Sequence, residues 1–197
     1  MAGARPGARP VGGALNHHLR PLDRSDFPVM ARWRRDREMV RWWGPAADED
    51  QLETEYGDQI DQRYSADSGP ARLWIYEVDG VAVGFGESYL IDDHPQWAQR
   101  LGVQSAIGVD YAIGSPHHRR AGHGSRLIHL LIAAGFDDHP TASRVVSVPK
   151  AANTASRRAL ERAGLSLLEV RPLEGEYPAE GDSAIYSMSR DAWNALT

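Results

Sequence analysis

The residues best suited to chemistry lie between Ile107 and Phe136, in the stretch IGVDYAIGSPHHRRAGHGSRLIHLLIAAGF. Strand-type residues around Val109, Tyr111 and Ile113 come first. Gly114-Ser115-Pro116 breaks them, His117-His118-Arg119-Arg120 follows, and Ala121-Gly122-His123-Gly124-Ser125 leads on. Leu127, Leu130, Leu131 and Ala134 then recur at the three- and four-residue steps of an amphipathic helix. A strand therefore feeds a glycine loop that opens a helix. The first turn of a helix has N–H groups without intrahelical partners and the positive end of the dipole, and glycines let a phosphate approach the backbone. Arginines on the rim add charge-assisted, often bidentate bonds. That chemistry suits a diphosphate, although a G-x-G alone fits a plain tight turn equally well. With no G-K-[ST] the loop is not a P-loop, and without a second G-x-x-G it is a poor dinucleotide fingerprint.

Asp110 stands on the strand itself, in Gly108-Val109-Asp110. It reads either as a turn or edge aspartate or as a group that handles a proton. An ordinary aspartate pKa of about 3.9 suits it to holding an ammonium more than to deprotonating one, unless burial raises it. His117, His118 and His123 cluster near the loop, yet a metal needs fixed ligand geometry and a supporting shell, so no metal is expected; His129, on the helix, reads as structural. The absence of cysteine excludes disulfides, a thiolate nucleophile and cysteine-type zinc sites.

Elements must hold these groups. Met1 to Asn16, rich in Gly, Ala, Pro and Arg without a period, is expected to be a disordered tail, and residues 17–197 a single domain. His17 to Pro21 predicts a first strand. Ser25 or Asp26 caps a helix to about Arg35, Asp36 a short one ending at Trp42-Trp43-Gly44, and Asp48 or Asp50 a third carrying Leu52, Tyr56, Ile60 and Tyr64 at steps of four. Arg72 to Val78 and Val81 to Leu90 form a hairpin across Asp79-Gly80. Ile91 to Val103 is expected to be a loop. After the glycine-loop helix come a strand at Arg144 to Val148, a helix led by Asn153, and strands at Leu165 to Val170 and Ser183 to Met188 around an acidic loop with Glu174, Glu176, Glu180 and Asp182. The net charge of −5 disfavours nucleic acid and anionic membranes as partners and suits a cationic substrate. No apolar run approaches the roughly 20 residues of a membrane span, and the amino-terminal stretch lacks a signal-peptide core, so a cytoplasmic location is expected.

The pattern Arg119-x-x-Gly122-x-Gly124 between strand and helix resembles the coenzyme A loop of the GNAT N-acetyltransferases. The second motif follows in order: Asn153-Thr-Ala-Ser-Arg-Arg-Ala-Leu-Glu-Arg-Ala-Gly-Leu165 looks like the family's Asn-led helix ending in E-[KR]-x-G-[FL]. The resemblance spans roughly Leu19 to Met188. It implies an α+β fold with a central mixed, mostly antiparallel sheet of about six or seven strands flanked by helices, and a splayed central strand pair. It also implies acetyl-CoA as co-substrate. Backbone amides of Tyr111, Ala112 and Ile113 would lie along the pantetheine arm and the thioester carbonyl. Arg119, Arg120, Ala121, Gly122, His123, Gly124 and Ser125 would surround the diphosphate, with Asn153 and Arg157 contributing from the next helix.

Within that family the chain looks most like aminoglycoside 6'-N-acetyltransferases, through Trp42-Trp43-Gly44, Glu87-Ser88-Tyr89 and Gly108-Val109-Asp110. The resemblance implies Asp110 as the catalytic carboxylate, acting by direct attack of the amine in a ternary complex. It implies Trp43, Tyr56, Glu87, Tyr89, Asp93, Trp97 and Asp182 as contacts for a polycationic aminosugar, which needs carboxylates for its ammoniums and aromatic faces for its rings. Tyr56 and Trp42 read equally as packing, and Asp92-Asp93 as a solvated pair. Two positions depart from the family: Leu160 replaces the tyrosine suited to protonating the leaving thiolate, and Val148 replaces an aspartate common in drug-modifying relatives. Kasugamycin-type 2' acetylation, siderophore-amine or amino-terminal acylation, and a non-catalytic acyl-CoA sensor stay open as alternatives. The oligomeric state is not read from the sequence.

Overall fold

The computed structural model describes residues 15–62, 71–173 and 181–196. Tyr64, Glu174, Glu176, Glu180 and most of the expected amino-terminal tail fall outside them. Seven strands form one sheet: β1 (His17–Pro21), β2 (Arg72–Val78), β3 (Val81–Leu90), β4 (Ala106–Ala112), β5 (Arg144–Ser147), β6 (Ser166–Arg171) and β7 (Ser183–Ser189), in the order β1-β2-β3-β4-β5-β7-β6. Every neighbouring pair is antiparallel except β4–β5. That parallel pair joins Ala106 to Arg144, Ile107 to Val145 and Gly108 to Val146, and there it stops. Residues 109–112 remain paired to β3 on one side and, among the described residues, to no strand on the other. This is the expected splay.

Local chemistry explains the elements. Asp79 and Gly80, at φ 50° and 76°, make the two-residue turn between β2 and β3. The ladder shifts register between Tyr76 and Glu77, where Val83 is the extra residue on β3. Val83 and Phe85 therefore pack on opposite sides of the sheet although they are two residues apart. Helix α1 (Phe27–Arg34) follows a 3-10 turn capped by Asp23 rather than by Ser25 or Asp26. Asp36 caps α2 (Arg37–Trp42), and Asp48 and Gln51 exchange side-chain and backbone bonds ahead of α3 (Glu49–Gln62). The segment expected to be a loop carries α4 (Pro95–Leu101), with Pro95 in its first turn and Gly102 closing it at φ 67°. Helices α5 (His123–Asp138) and α6 (Thr154–Arg162) follow the two motif loops, and a short α7 (Arg190–Asn194), unforeseen in the sequence, is capped by Ser189.

Leu127, Ile128, Leu131 and Ile132 of α5 fill one face of the sheet against Tyr76, Ile107 and Val109, with Leu160 of α6. Phe27, Met30, Trp33, Leu52 and Tyr56 fill the other against Ile75 and Phe85. Ile91, Leu101 and Ala106 form a third cluster with Val146 and Ile185 beneath α4. Among the described residues no helix is long and apolar enough to cross a membrane.

Candidate active site

An open cleft of about 1650 Å³ crosses the unpaired edge of β4. One end reaches the glycine loop, where Arg120 (φ 64°) and Gly122 (φ 87°) are left-handed and Gly122 precedes the first turn of α5 without a side-chain cap. Gly124 faces α6 so closely that a Cβ there would stand 3.4 Å from the Ala159 methyl. The turn thus presents backbone N–H groups and the positive dipole end of a sixteen-residue helix to the cleft. Arg120, Gly122, Gly124, Ser125 and Asn153 line this end.

Several side chains in the loop make contacts within the protein. Arg119 lines the cleft as well as making internal bonds: its Nε donates to the Ile113 carbonyl at 2.9 Å, one Nη to the Gly114 carbonyl at 3.0 Å and the other to Asp36 Oδ1 at 2.6 Å. Its guanidinium ties the loop to the end of β4 and to the cap of α2. The His123 ring is buried with His17, Tyr76 and His118, and burial first, then His118 and His17, hold its pKa below the usual histidine value. Among the described residues no such group has the arrangement to hold a metal. His129 meets the Ala163 carbonyl and the edge of Trp193, a packing role. Arg157 donates to the Tyr186 hydroxyl and the Ala151 carbonyl, and Asn153 caps α6 by accepting from Ser156 N. Ala121, His123 and Arg157 thus offer the cleft no side chain.

The middle of the cleft is acidic. Across β3 and β4 the register sets Phe85 opposite Ala112, Glu87 opposite Asp110, and Tyr89 opposite Gly108. Gly108 makes room for the Tyr89 ring, since a Cβ there would fall 2.3 Å from its Cζ. The Tyr89 hydroxyl donates to Asp110 Oδ2 at 3.2 Å, and Trp97 of α4 lines the same stretch of the cleft. Burial, then Asp110, then Glu55 push the Glu87 carboxyl up to about 8. Burial, then Asp110 and Glu87, lift the Tyr89 phenol well above its ordinary range.

Trp43 lies half-buried at the mouth, edge-on to Phe85 with ring centroids 4.6 Å apart, and donates to the Tyr56 hydroxyl at 3.3 Å. Asp93 and Trp97 line the facing wall. The cleft therefore brings together Trp43, Glu87, Tyr89, Asp93, Trp97 and Asp110. Tyr56 is instead a core residue, 5% exposed, that supports Trp43 from behind. The Asp182 side chain is exposed and lies off the wall, which is lined at that point by Ser183. Asp92 accepts from Ala106 N at 3.4 Å at the start of β4.

One wall residue escaped the sequence reading. Ser156, on α6, meets the Tyr111 hydroxyl at 2.8 Å across the splay, with the same hydroxyl 3.1 Å from the Ser156 carbonyl. Leu160, one helical turn later, is fully buried in the core. The four-residue step from Leu160 back to Ser156 was the available signal.

The family model described as an acetyltransferase (GNAT) domain matches residues 23–171. The chain belongs to the GNAT acetyltransferase family. It is an acetyl-CoA-dependent N-acetyltransferase. Its fold matches the solved structure of aminoglycoside acetyltransferase AAC(6')-Ib with coenzyme A, at a TM-score of 0.76 and 19% identity over 91% of this chain and 98% of that one. The same enzyme with coenzyme A and kanamycin matches at 0.76 and 18%, with the same coverage. Spermidine N-acetyltransferase from Vibrio cholerae, solved with CoA and spermine, matches at 0.69 and 16%, over 90% of this chain and 98% of that one. At these identities the likeness speaks to fold. The uncapped turn at Gly122 and the unpaired edge of β4 fit the diphosphate and the arm of coenzyme A by their own geometry.

Proposed function

We propose that this GNAT enzyme acetylates a primary amine of an aminoglycoside, of the 6' type, and so confers resistance. The observation that carries the reading is the acidic, aromatic-walled cleft set directly beside the free edge of β4. Glu87, Asp93 and Asp110 supply negative charge for a polycation, and Trp43 and Trp97 supply ring faces. A linear polyamine would use the carboxylates equally well, but it has no rings for the two indoles to cover.

Coenzyme A, when bound, supplies an acetyl thioester; the rest is done by the chain. The first-turn amides of α5, with Arg120, Ser125 and Asn153, hold the diphosphate. Backbone amides of Tyr111, Ala112 and Ile113 lie along the arm and offer donors to the carbonyl oxygen as it gains charge. Asp110, oriented by Tyr89, holds the attacking amine in line with the carbonyl carbon. With Leu160 buried, Ser156, whose hydroxyl lies on the cleft wall 2.8 Å from that of Tyr111, is the side chain we assign to the leaving sulfur.

The deciding experiment follows free thiol with acetyl-CoA and a panel of kanamycin, ribostamycin, kasugamycin and spermidine. Turnover of the 2-deoxystreptamine drugs, with acetyl on the 6' nitrogen by NMR, is the expected outcome. Turnover of spermidine in preference to every drug would overturn the substrate reading.

A further inference from the structure

We propose that Glu87 and Asp110 work as one proton-sharing carboxylate pair, in which Asp110 anchors the substrate ammonium as the anion and Glu87 takes the proton it gives up. The proposal rests on the amine-acetylation reading of the same cleft. It assigns the proton acceptor to a residue otherwise read only as a substrate contact.

The geometry begins with register. Glu87 and Asp110 are direct cross-strand partners on antiparallel β3 and β4, a relation that sets Cβ atoms about 4.5–5.5 Å apart on one face. Two half-buried carboxylates at that spacing resist ionising together, so a proton is retained between them. Tyr89 decides where it resides. Its hydroxyl donates to Asp110 Oδ2, which favours charge on Asp110, and His94 packs edge-on against its ring. From α3, Glu55 adds further negative potential at Glu87; its own carboxylate is 3.0 Å from Arg34 of α1, whose second Nη is turned to the Pro45 carbonyl. Tyr56, also from α3, is held neutral by burial, then by Glu55. The value near 8 at Glu87 agrees with this arrangement.

An isolated aspartate near 4 is a poor match for an ammonium that loses its proton several units higher, whereas a group near 8 is well matched. The proton balance closes. Binding of the cationic substrate displaces the shared proton to solvent, leaving both carboxylates ionised against the ammonium. One N–H bond of the ammonium then breaks and its proton moves to a Glu87 oxygen, freeing the nitrogen lone pair. That pair forms the C–N bond to the acetyl carbonyl carbon, the C–S bond breaks with its electrons on sulfur, and a second nitrogen proton is transferred to the thiolate. The proton on Glu87 departs when the next cation binds.

The test has two arms. Protein labelled with 13C at the glutamate side-chain carboxyl is titrated by NMR from pH 5 to 10 with no substrate present. One glutamate should titrate near pH 8; it should vanish in Glu87→Gln and move down by a unit or more in Asp110→Asn. The second arm measures kcat/KM for kanamycin against pH by thiol release. The wild type should rise through the same midpoint, whereas Glu87→Gln should lose that limb and fall about a hundredfold in kcat with the acetyl-CoA KM unchanged. A glutamate spectrum with every midpoint below pH 6, or a Glu87→Gln profile with its limb in place, overturns the proposal. A titration near pH 8 together with no turnover of any amine would instead overturn the amine-acetylation reading while leaving the proton-sharing pair in place.

Discussion

Gly108→Ala is the smallest change that should disable the acidic centre without touching a charged group. Gly108 lies in extended β4, where alanine is conformationally acceptable, so the effect is steric. An added Cβ would stand 2.3 Å from Cζ, 2.5 Å from Cε2 and 2.7 Å from Oη of Tyr89. The ring cannot simply tilt, because His94 packs edge-on against it at 5.3 Å and its hydroxyl engages Asp110. Tyr89 must leave its rotamer or β4 must move. Overpacking of this kind costs about 1–3 kcal/mol, and a lost hydrogen bond to a carboxylate about 1.5–3, so we expect about 2.5–6 kcal/mol. For a chain of this size that is a fall in Tm of roughly 5–24 °C. Urea denaturation gives the free energy and thiol release gives kcat, which should fall with the stability because Asp110 loses its orienting donor. The mechanism is isolated by a double-mutant cycle: in a Tyr89→Ala background the ring is gone, and Gly108→Ala should cost under about 0.5 kcal/mol. Equal costs in the two backgrounds, or a Gly108→Ala protein as stable as the wild type, would refute the steric argument.

Three further outcomes are expected. Glu87 is raised in the folded state from 4.5 to about 8, so the stability it permits is complete below about pH 4.5 and is lost as pH climbs to about 8. Partial exposure to cleft water holds the loss to roughly 1–3 kcal/mol; Glu87→Gln should flatten that slope in denaturation curves at pH 5, 7 and 9, and an unchanged slope would count against the raised carboxyl. Gly122→Ala forces a left-handed φ on a side-chain-bearing residue at a cost of about 1 kcal/mol and should raise the calorimetric Kd for coenzyme A about tenfold, whereas an unaltered Kd would remove this turn from the diphosphate site. Ser156→Ala should lower kcat with coenzyme A affinity preserved, and Tyr111→Phe should reproduce part of that loss; a wild-type kcat in both would take Ser156 out of the chemistry.

Much of the frame was legible because it is written locally. The hairpin follows from Asp79-Gly80, the α2 cap from Asp36, and the strand–loop–helix motif from the change of period after Gly124. What escaped depends on long-range pairing. Arg119 reads as a rim arginine, and its ion pair with Asp36, eighty-three residues away in sequence, is visible only in the fold. Tyr56 looks like an aromatic contact for a sugar, yet α3 turns it inward, where it supports Trp43 instead. The α4 helix was hidden in a short, proline-led, polar segment whose apolar positions, Trp97, Ala98 and Leu101, are too few to establish a period. Glu87 and Asp110 were each named, but their facing positions are set by strand register, and one residue of slip would have put them on opposite sides of the sheet.

That dependence on register gives β4 two roles in one strand. Its parallel pairing stops at Gly108, so residues 109–112 have, among the described residues, no strand partner on the β5 side. On the β3 side the same four residues remain in an unbroken antiparallel ladder, which fixes the carboxylates on one face while Val109 packs against α5 on the other. The bulge at Val83 lies beyond this region, so the twist it adds falls outside the Phe85–Leu90 ladder that carries Glu87 and Tyr89. An acidic pair placed against a flexible edge could relax by moving apart and would lose its elevated proton affinity. Here the ladder prevents that, and the relief of like-charge repulsion is left to an incoming cation. On the proposed mechanism, the cost of building the pair in the free enzyme is recovered as affinity for an ammonium held next to the open edge, so that binding and proton removal are assigned to the same two residues.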